Sequence, residues 1–401
     1  MNIRHSLVAG ASGVALVASL AWPAAATATP ARVTHHNVAV CAKPTSGSAG
    51  CDAVLNEVQV NGKPASPATT PSGYGPSALR SAYALASAAA SSGGGQTVAI
   101  VDAYNDPKAA ADLATYRSTF GIPACTVASG CFTQMSQTGS TTSLPRNNGS
   151  WSEEISLDLD MVSAICPNCH ILLVEASSAS IANLAAAARE AAARGATEVS
   201  NSYGGSESST QTSYDSSYNH AGVAVTASAG DSGYGVSFPA SSPYVTAVGG
   251  TSLVTSNTTR GWTETAWSGT GSGCSTVEAK PSWQSDTGCA RRTVGDVSAD
   301  ADPNTGVAVY DSYSYQGYSG WLVFGGTSVA SPIIASVYAL AGNASSVGTG
   351  AQHVYAEAGS LNDVTSGSNG TCSSSAAYLC TAGPGYDGPT GLGTPAGTTA
   401  F

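Results

Sequence analysis

Charge is what this 401-residue chain has least of. Only 10% of its residues are charged, and 14 Lys and Arg stand against 25 Asp and Glu, for a formal net charge of -11. That balance excludes a nucleic-acid partner, because phosphate binding needs clustered cations and none occur. Large aromatics are scarce as well. Six Trp and five Phe give little to build a sugar-stacking cleft, which counts against a glycosidase working through paired carboxylates. Beyond the N-terminal stretch no apolar run reaches spanning length without polar interruption, so no membrane segment is expected.

What is present is apolar and hydroxyl-rich. With 42% hydrophobic residues the chain can bury a full core in one large domain. Its start reads as a secretory signal over 1–28: Arg4 and His5, an apolar run from Leu7 to Trp22, then "PAAATATP" with small-x-small cleavage sites. A secreted, extracellular protein is the expectation. The ten cysteines then gain a meaning, since they fall as near neighbours: Cys41 and Cys51, Cys125 and Cys131, Cys166 and Cys169, Cys274 and Cys289, Cys372 and Cys380. An even, local spacing in an oxidising compartment suggests small disulfide-closed loops. "CPNCH" at 166–170 also matches the haem c attachment spacing, but His170 opens the apolar run "HILLVEA", and a small disulfide at a helix-to-strand turn fits that position better.

Residues 29–70 are Pro-, Ser- and Thr-rich with little periodicity and read as a short leader or linker. Order is expected from 71 to 401 as one domain. "TVAIVDA" reads as a buried strand, "PKAAADLATYRSTFG" as a helix, and 150–165 as a helix with a serine N-cap. "HILLVEA", "TEVSNSY" and "VAVTASAG" are strands, with helices "IANLAAAAREAAARG" and "QTSYDSSYNHAG" between them. Continuous apolar strands alternating with helices predict an α/β fold with a doubly wound parallel sheet. The Gly/Ser-rich stretch 250–320 reads as long loops over one end, and ligands in such sheets bind at the carboxyl ends of the strands.

"FGGTSVASP" at 324–332 sets Ser328 at a loop-to-helix junction. There a serine caps the helix or acts as a nucleophile, and a nucleophile needs a base and a site for the oxyanion. None of the six histidines sits in the context of a subtilisin-type or trypsin-type triad, and no Gly-x-Ser-x-Gly elbow points to an esterase. Carboxylates are better placed. Glu154 and Asp158 lie four apart on one helix face, opposite Leu157, Met161 and Ile165, and mutual repulsion raises the pKa of one of them. Such a pair can take a serine proton in acid; acidic residues in a first turn also simply stabilise a helix N-terminus. Glu153 and Asp160 are neighbours without such a partner. Asp231, between glycines in "AGDSGYG", either shapes a turn or, if buried and protonated, donates to an oxyanion.

Taken together, "EEISLD", "TASAGDSG" and "GGTSVASP" resemble motifs of the sedolisin family of serine-carboxyl peptidases. The likeness continues through "GYGPSALRSAYAL", "GQTVAIVDAYNDP", "SFPASSPYVTAVGGTSL", "KPSWQ" and "DVSADADPNTG" to the C-terminus. It implies a subtilisin-like fold and a secreted, monomeric endopeptidase acting on polypeptides, with Ser328 as nucleophile, Glu154 as general base, Asp158 as its orienting partner and Asp231 as oxyanion-hole acid. It also implies a structural calcium ion, held by the Asp363 and Asp387 side chains and by the carbonyls of Val364, Gly383 and Gly385, a donor set of the hard oxygens that calcium takes. Tyr203, Gly204 and Gly205 are expected to line the cleft and pair with an extended peptide. The family's long folded propeptide has no counterpart in 29–70, which is too short for an independent α/β domain. A calcium-stabilised binding protein on the same fold is the other class the residues allow.

Overall fold

The computed structural model describes Met1, Leu7, Gly10 and residues 32–401; the expected signal segment otherwise lies outside the described residues. Its centre is an eight-stranded sheet. From one edge the order runs Trp262–Ala266, Thr246–Thr255, Ala224–Ser228, Glu198–Asn201, Thr97–Ala103, His170–Ala176 and Phe132–Ser136, with Val297–Asp300 also paired to Thr246–Thr255. All of these pairs are parallel except that of Trp262–Ala266 with its neighbour. The continuous apolar runs explain this. Ile100 and Val101, like Leu173 and Val174, are fully buried, as a parallel strand covered on both faces requires.

Two helices cross beneath the site and pack on each other, Gly149–Ile165 and Thr327–Ala341. Neither has a solvent face over most of its length: every residue from Trp151 to Ile165 and from Thr327 to Leu340 is buried. Helices hydrophobic or small all round belong inside a protein. Here the interior positions include Glu153, Glu154, Asp158 and Asp160, a cost in desolvation that calls for a purpose.

Several expectations change. Residues 29–70 are not a free leader: Val33–Ala39 pairs antiparallel with Val54–Val60, which joins Tyr318–Gly325 through Val54↔Gly325 and Leu55↔Phe324. With Val307–Tyr315 they form most of a second, five-stranded sheet. The intervening Pro, Ser and Gly residues masked two strands, and the further partner of Val54–Val60 lies far along the chain. For the same reason 250–320 is not all loop; the hairpin of Val307–Tyr315 and Tyr318–Gly325 is built of residues such as Tyr310, Trp321 and Phe324 between small polar ones. A long Gly/Ser-rich connection remains over 267–296, carrying only the two-residue strands Gly273–Cys274 and Thr293–Val294. The helix expected from Ser150 starts at Gly149, and its cap is Asn148, whose Oδ1 accepts from Trp151 N at 3.2 Å. Gln211–Ser217 is a 3-10 helix. His170 is exposed, at the start of its strand. The five neighbouring cysteine pairs are all disulfides.

Candidate active site

Strand Tyr318–Gly325 ends in a turn through Gly326, and the helix that follows presents Ser328 in its first turn. Gly326 has φ +95°, and a Cβ there would stand 2.1 Å from the Asp52 carbonyl oxygen and 2.6 Å from Asp231 Oδ2. Only glycine fits, by conformation and by space. Ser328 is therefore not the cap; Gly326 holds that position. The serine Oγ donates instead to the Ser202 carbonyl at 3.1 Å. Its place at a helix N-terminus favours negative charge developing nearby.

From the other helix, Glu154 and Asp158 meet Asp102 at the carboxyl end of strand Thr97–Ala103. One oxygen of each lies within 4.8 Å of the others, and all three residues are fully buried. Burial raises the Glu154 pKa well above the usual carboxylate range, the charges of Asp158 and Asp102 add to this, and the Ser328 hydroxyl pulls it partly back. Asp158 is raised by burial and then by Asp102; Asp102 by burial and then by Glu175. Three carboxyls so close cannot all ionise, so the group shares protons. The spacing would also suit a hard cation, but proton sharing is the use that engages the serine beside Glu154. Asp102 is the member that sequence reading missed, since an aspartate ending an apolar strand carries no signal of its own. Glu153 is pushed up to about 8 by burial alone, and Asp160 turns away to accept from Tyr310 N at 2.9 Å.

Asp231 comes in from the turn after strand Ala224–Ser228. Its Oδ1 accepts from both the backbone N and the Oγ1 of Thr327, each at 2.8 Å. Burial and then the charge of Asp52 raise its pKa well above the usual range. A neutral carboxyl so anchored turns its Oδ2 toward Gly326, next to the first turn of the serine helix. Asp52, from the supposed leader, was also missed. Its carboxyl accepts from Ser228 Oγ at 2.6 Å, and burial pushes it up to about 7 against that hydrogen bond. Strand Tyr203–Ser206, expected to pair with an extended peptide, pairs with Gly50–Cys51.

The expected calcium residues also converge. Asp387 is 1% exposed, and burial, with the neighbouring charge of Asp363, takes its pKa to about 7 despite hydrogen bonds from Gly383 N and Thr390. Asp363 accepts from Gly385 N at 3.0 Å, and the Val364 carbonyl faces Thr390 Oγ1 at 3.4 Å. Neither aspartate has an ion-pair partner among the described residues, so the buried Asp387 and the exposed Asp363 lie at one loop cluster without a balancing charge. That arrangement fits a hard divalent cation.

A serine at a helix N-terminus with a carboxyl group in place of histidine, on a parallel α/β sheet, defines a subtilisin-like fold with a serine-carboxyl site. Comparison with known proteins agrees. The model of the subtilase family matches residues 144–358. Kumamolisin of Bacillus sp. (strain MN-32) is 31% identical over 381 residues, 83% of this chain and 64% of kumamolisin. Sedolisin of Pseudomonas sp. (strain 101) is 39% identical over 179 residues, 40% of this chain and 29% of sedolisin. The solved Pseudomonas sedolisin, a serine-carboxyl proteinase complexed with two molecules of pseudo-iodotyrostatin, superposes with a TM-score of 0.67 at 28% identity, covering 82% of this chain and 96% of that one. The chain belongs to the subtilase family and, within it, to the sedolisins. It spans well under two thirds of the length of sedolisin and just under two thirds of that of kumamolisin.

Proposed function

We propose that this protein is a secreted serine-carboxyl endopeptidase that hydrolyses polypeptides through an acyl-enzyme and favours acidic pH. The observation that carries the reading is the convergence of Ser328, the Asp102–Glu154–Asp158 trio and Asp231 around one helix N-terminus. Glu154 takes the Ser328 proton as the hydroxyl attacks a peptide carbonyl. Asp158 orients Glu154 and, with Asp102, spreads the proton over the trio, so that one charge and not three is held in the interior. The oxyanion is met by the Ser328 N–H and by the protonated Asp231 carboxyl, worth roughly 3–4 kcal/mol per donor in such sites. Glu154 then returns its proton to the leaving amine, and water repeats the cycle on the ester.

The acid preference follows from two requirements. Asp231 donates only while neutral, below its raised pKa. The trio serves as base with one carboxyl ionised and the others still protonated, a state lost once pH rises far enough for a second of its raised carboxyls to ionise. Calcium would be held by Asp363, Asp387 and the carbonyls of Val364, Gly383 and Gly385, and would neutralise the Asp387 charge that burial disfavours. Every reacting group comes from one chain, so a monomer suffices.

The test is hydrolysis of denatured casein from pH 3 to 8 by the protein beside Ser328→Ala and Glu154→Gln. Activity peaking in acid and lost in both variants is expected. Activity that survives Ser328→Ala would sink the reading.

A further inference from the structure

The Asp231 carboxyl has two oxygens, and the fold treats them differently. Oδ1 accepts twice from one residue, from Thr327 N and from Thr327 Oγ1, each at 2.8 Å. A carboxyl oxygen has two lone pairs in its plane, so both are engaged and Oδ1 has no room for a proton. Oδ2 is buried and has no hydrogen-bond partner among the described residues. The proton of the neutral acid is therefore confined to Oδ2. That oxygen lies on the side of Gly326 where the Asp52 carbonyl, which accepts from Ser328 N at 2.9 Å, also comes close. A carbonyl oxygen held by the Ser328 N–H thus stands on the side to which Oδ2 presents its proton.

The direction of the Thr327 hydroxyl is itself fixed. Gly230 N donates to Thr327 Oγ1 at 3.1 Å, which occupies a lone pair of the hydroxyl and leaves its hydrogen to Asp231. Thr327 is fully buried, in the first turn of the helix that carries Ser328, and Gly230 directly precedes Asp231. One β-branched side chain, stiff at χ1, thereby ties the loop of the acid to the helix of the nucleophile. Packing alone would be served by valine, which has nearly the same shape. The hydrogen-bond chain from Gly230 N through Thr327 Oγ1 to Asp231 Oδ1 needs the hydroxyl.

We propose that Thr327 is a positioning residue of the oxyanion site: its hydroxyl holds Oδ1 as an acceptor, so that the Asp231 proton sits on Oδ2 and meets the oxyanion together with the Ser328 N–H. The inference rests on the peptidase reading above and adds a residue to it. Thr327 acts through Asp231 and needs no contact with the substrate. The same hydroxyl works against protonation. Burial and the charge of Asp52 raise the Asp231 pKa, and the two Thr327 hydrogen bonds lower it, because a carboxylate accepts them more strongly than a neutral acid does. Lys43 and Tyr234 line the same cleft as Asp52 and Asp231, and of these Asp52 is the charge that acts on Asp231. Loss of the hydroxyl should therefore slow the enzyme and yet keep Asp231 protonated to higher pH, a combination that damaged packing would not produce.

The experiment measures kcat/KM on a fluorogenic peptide from pH 3 to 8 for wild type, Ser328→Ala, Thr327→Val, Thr327→Ser, Asp231→Ala and the double variant Thr327→Val with Asp231→Ala. At pH 4 Thr327→Val should fall roughly 10- to 50-fold, less than the loss of a whole oxyanion donor, because the backbone N–H at 327 still holds Oδ1. Its alkaline limb should lie at higher pH than that of wild type. Thr327→Ser keeps the hydroxyl and should stay within about threefold of wild type. In the Asp231→Ala background the valine substitution should change the rate by less than about twofold, since a group acting only through Asp231 has nothing left to position. Thr327→Ala, smaller and equally without a hydroxyl, repeats the test if valine disturbs the packing. An undiminished loss in the Asp231→Ala background, an alkaline limb that stays or moves to lower pH, or a serine variant as slow as the valine one overturns the proposal and leaves the peptidase reading standing. Wild-type hydrolysis no faster than that of Ser328→Ala overturns both.

Discussion

Asp231→Asn and Asp231→Ala should differ in both size and pH dependence. The Oδ1 oxygen is fixed by two hydrogen bonds from Thr327 at 2.8 Å, and an asparagine oxygen accepts the same two. The amide nitrogen then takes the place of Oδ2 and donates at every pH, whereas the carboxyl donates only while protonated. Alanine supplies nothing. Removing one oxyanion donor costs roughly 10²–10³ in kcat, about 3–4 kcal/mol, so Asp231→Ala should fall by that much at pH 4 while Asp231→Asn stays within about tenfold of wild type. The alkaline side separates them further. Wild type loses its donor, and gains a charge that repels the oxyanion, as Asp231 ionises through a pKa that burial and Asp52 have raised. The asparagine variant keeps its donor, so its alkaline limb should move to higher pH and reflect the carboxyl trio alone. Initial rates of kcat/KM on a fluorogenic peptide from pH 3 to 8 decide it. If Asp231→Asn falls as far as Asp231→Ala in acid, or its alkaline limb coincides with that of wild type, a neutral Asp231 is not the donor.

Stability should also favour acid. Glu198 is fully buried with a pKa pushed from 4.5 to about 8; the native state keeps a proton that the unfolded chain releases, so its contribution is complete below pH 4.5 and is lost as pH rises toward 8. At pH 7 the loss is roughly 3 kcal/mol, and Glu198→Gln should flatten denaturant-unfolding free energies between pH 4 and 7 by about that amount; an unchanged slope refutes the assignment. The Arg292–Asp296 pair, 0% exposed on both sides and joined at 2.5 Å, should make Asp296→Asn cost about 3–5 kcal/mol, since a buried guanidinium is left without its partner; a loss under 1 kcal/mol would contradict this. Calcium chelation should lower Tm in wild type and much less in Asp387→Asn, as read by calorimetry at fixed pH; equal shifts in both would place the metal elsewhere.

The features legible in sequence were those with a local period. Glu154 and Asp158 sit four apart on a helix, and Ser328 follows two glycines and a threonine, so spacing singled them out as candidates while the family resemblance supplied their roles. The cap on the carboxylate helix was read as a serine, and geometry sets it at Asn148 instead. Asp102 and Asp52 were beyond reach for different reasons. Asp102 ends a strand as many aspartates do, and only the crossing of a helix behind it brings it to Glu154. Asp52 lies in the link between Gly50–Cys51 and Val54–Val60, whose partners around Tyr203 and Phe324 lie far along the chain. Turn-forming residues on either side of it carried the stronger local signal, and that signal was for a leader.

Strand Tyr318–Gly325 does two things at once: its edge receives Val54 and Leu55, and its end delivers Ser328. Sheet register thereby becomes a ruler. A slip of one residue would turn Asp52 to face the other way, and a slip of two would bring a different carbonyl over the serine. Which carbonyl stands before the nucleophile is counted off along a backbone ladder, so a residue inserted between 53 and 58 would move that point even if every side chain in the cleft stayed the same.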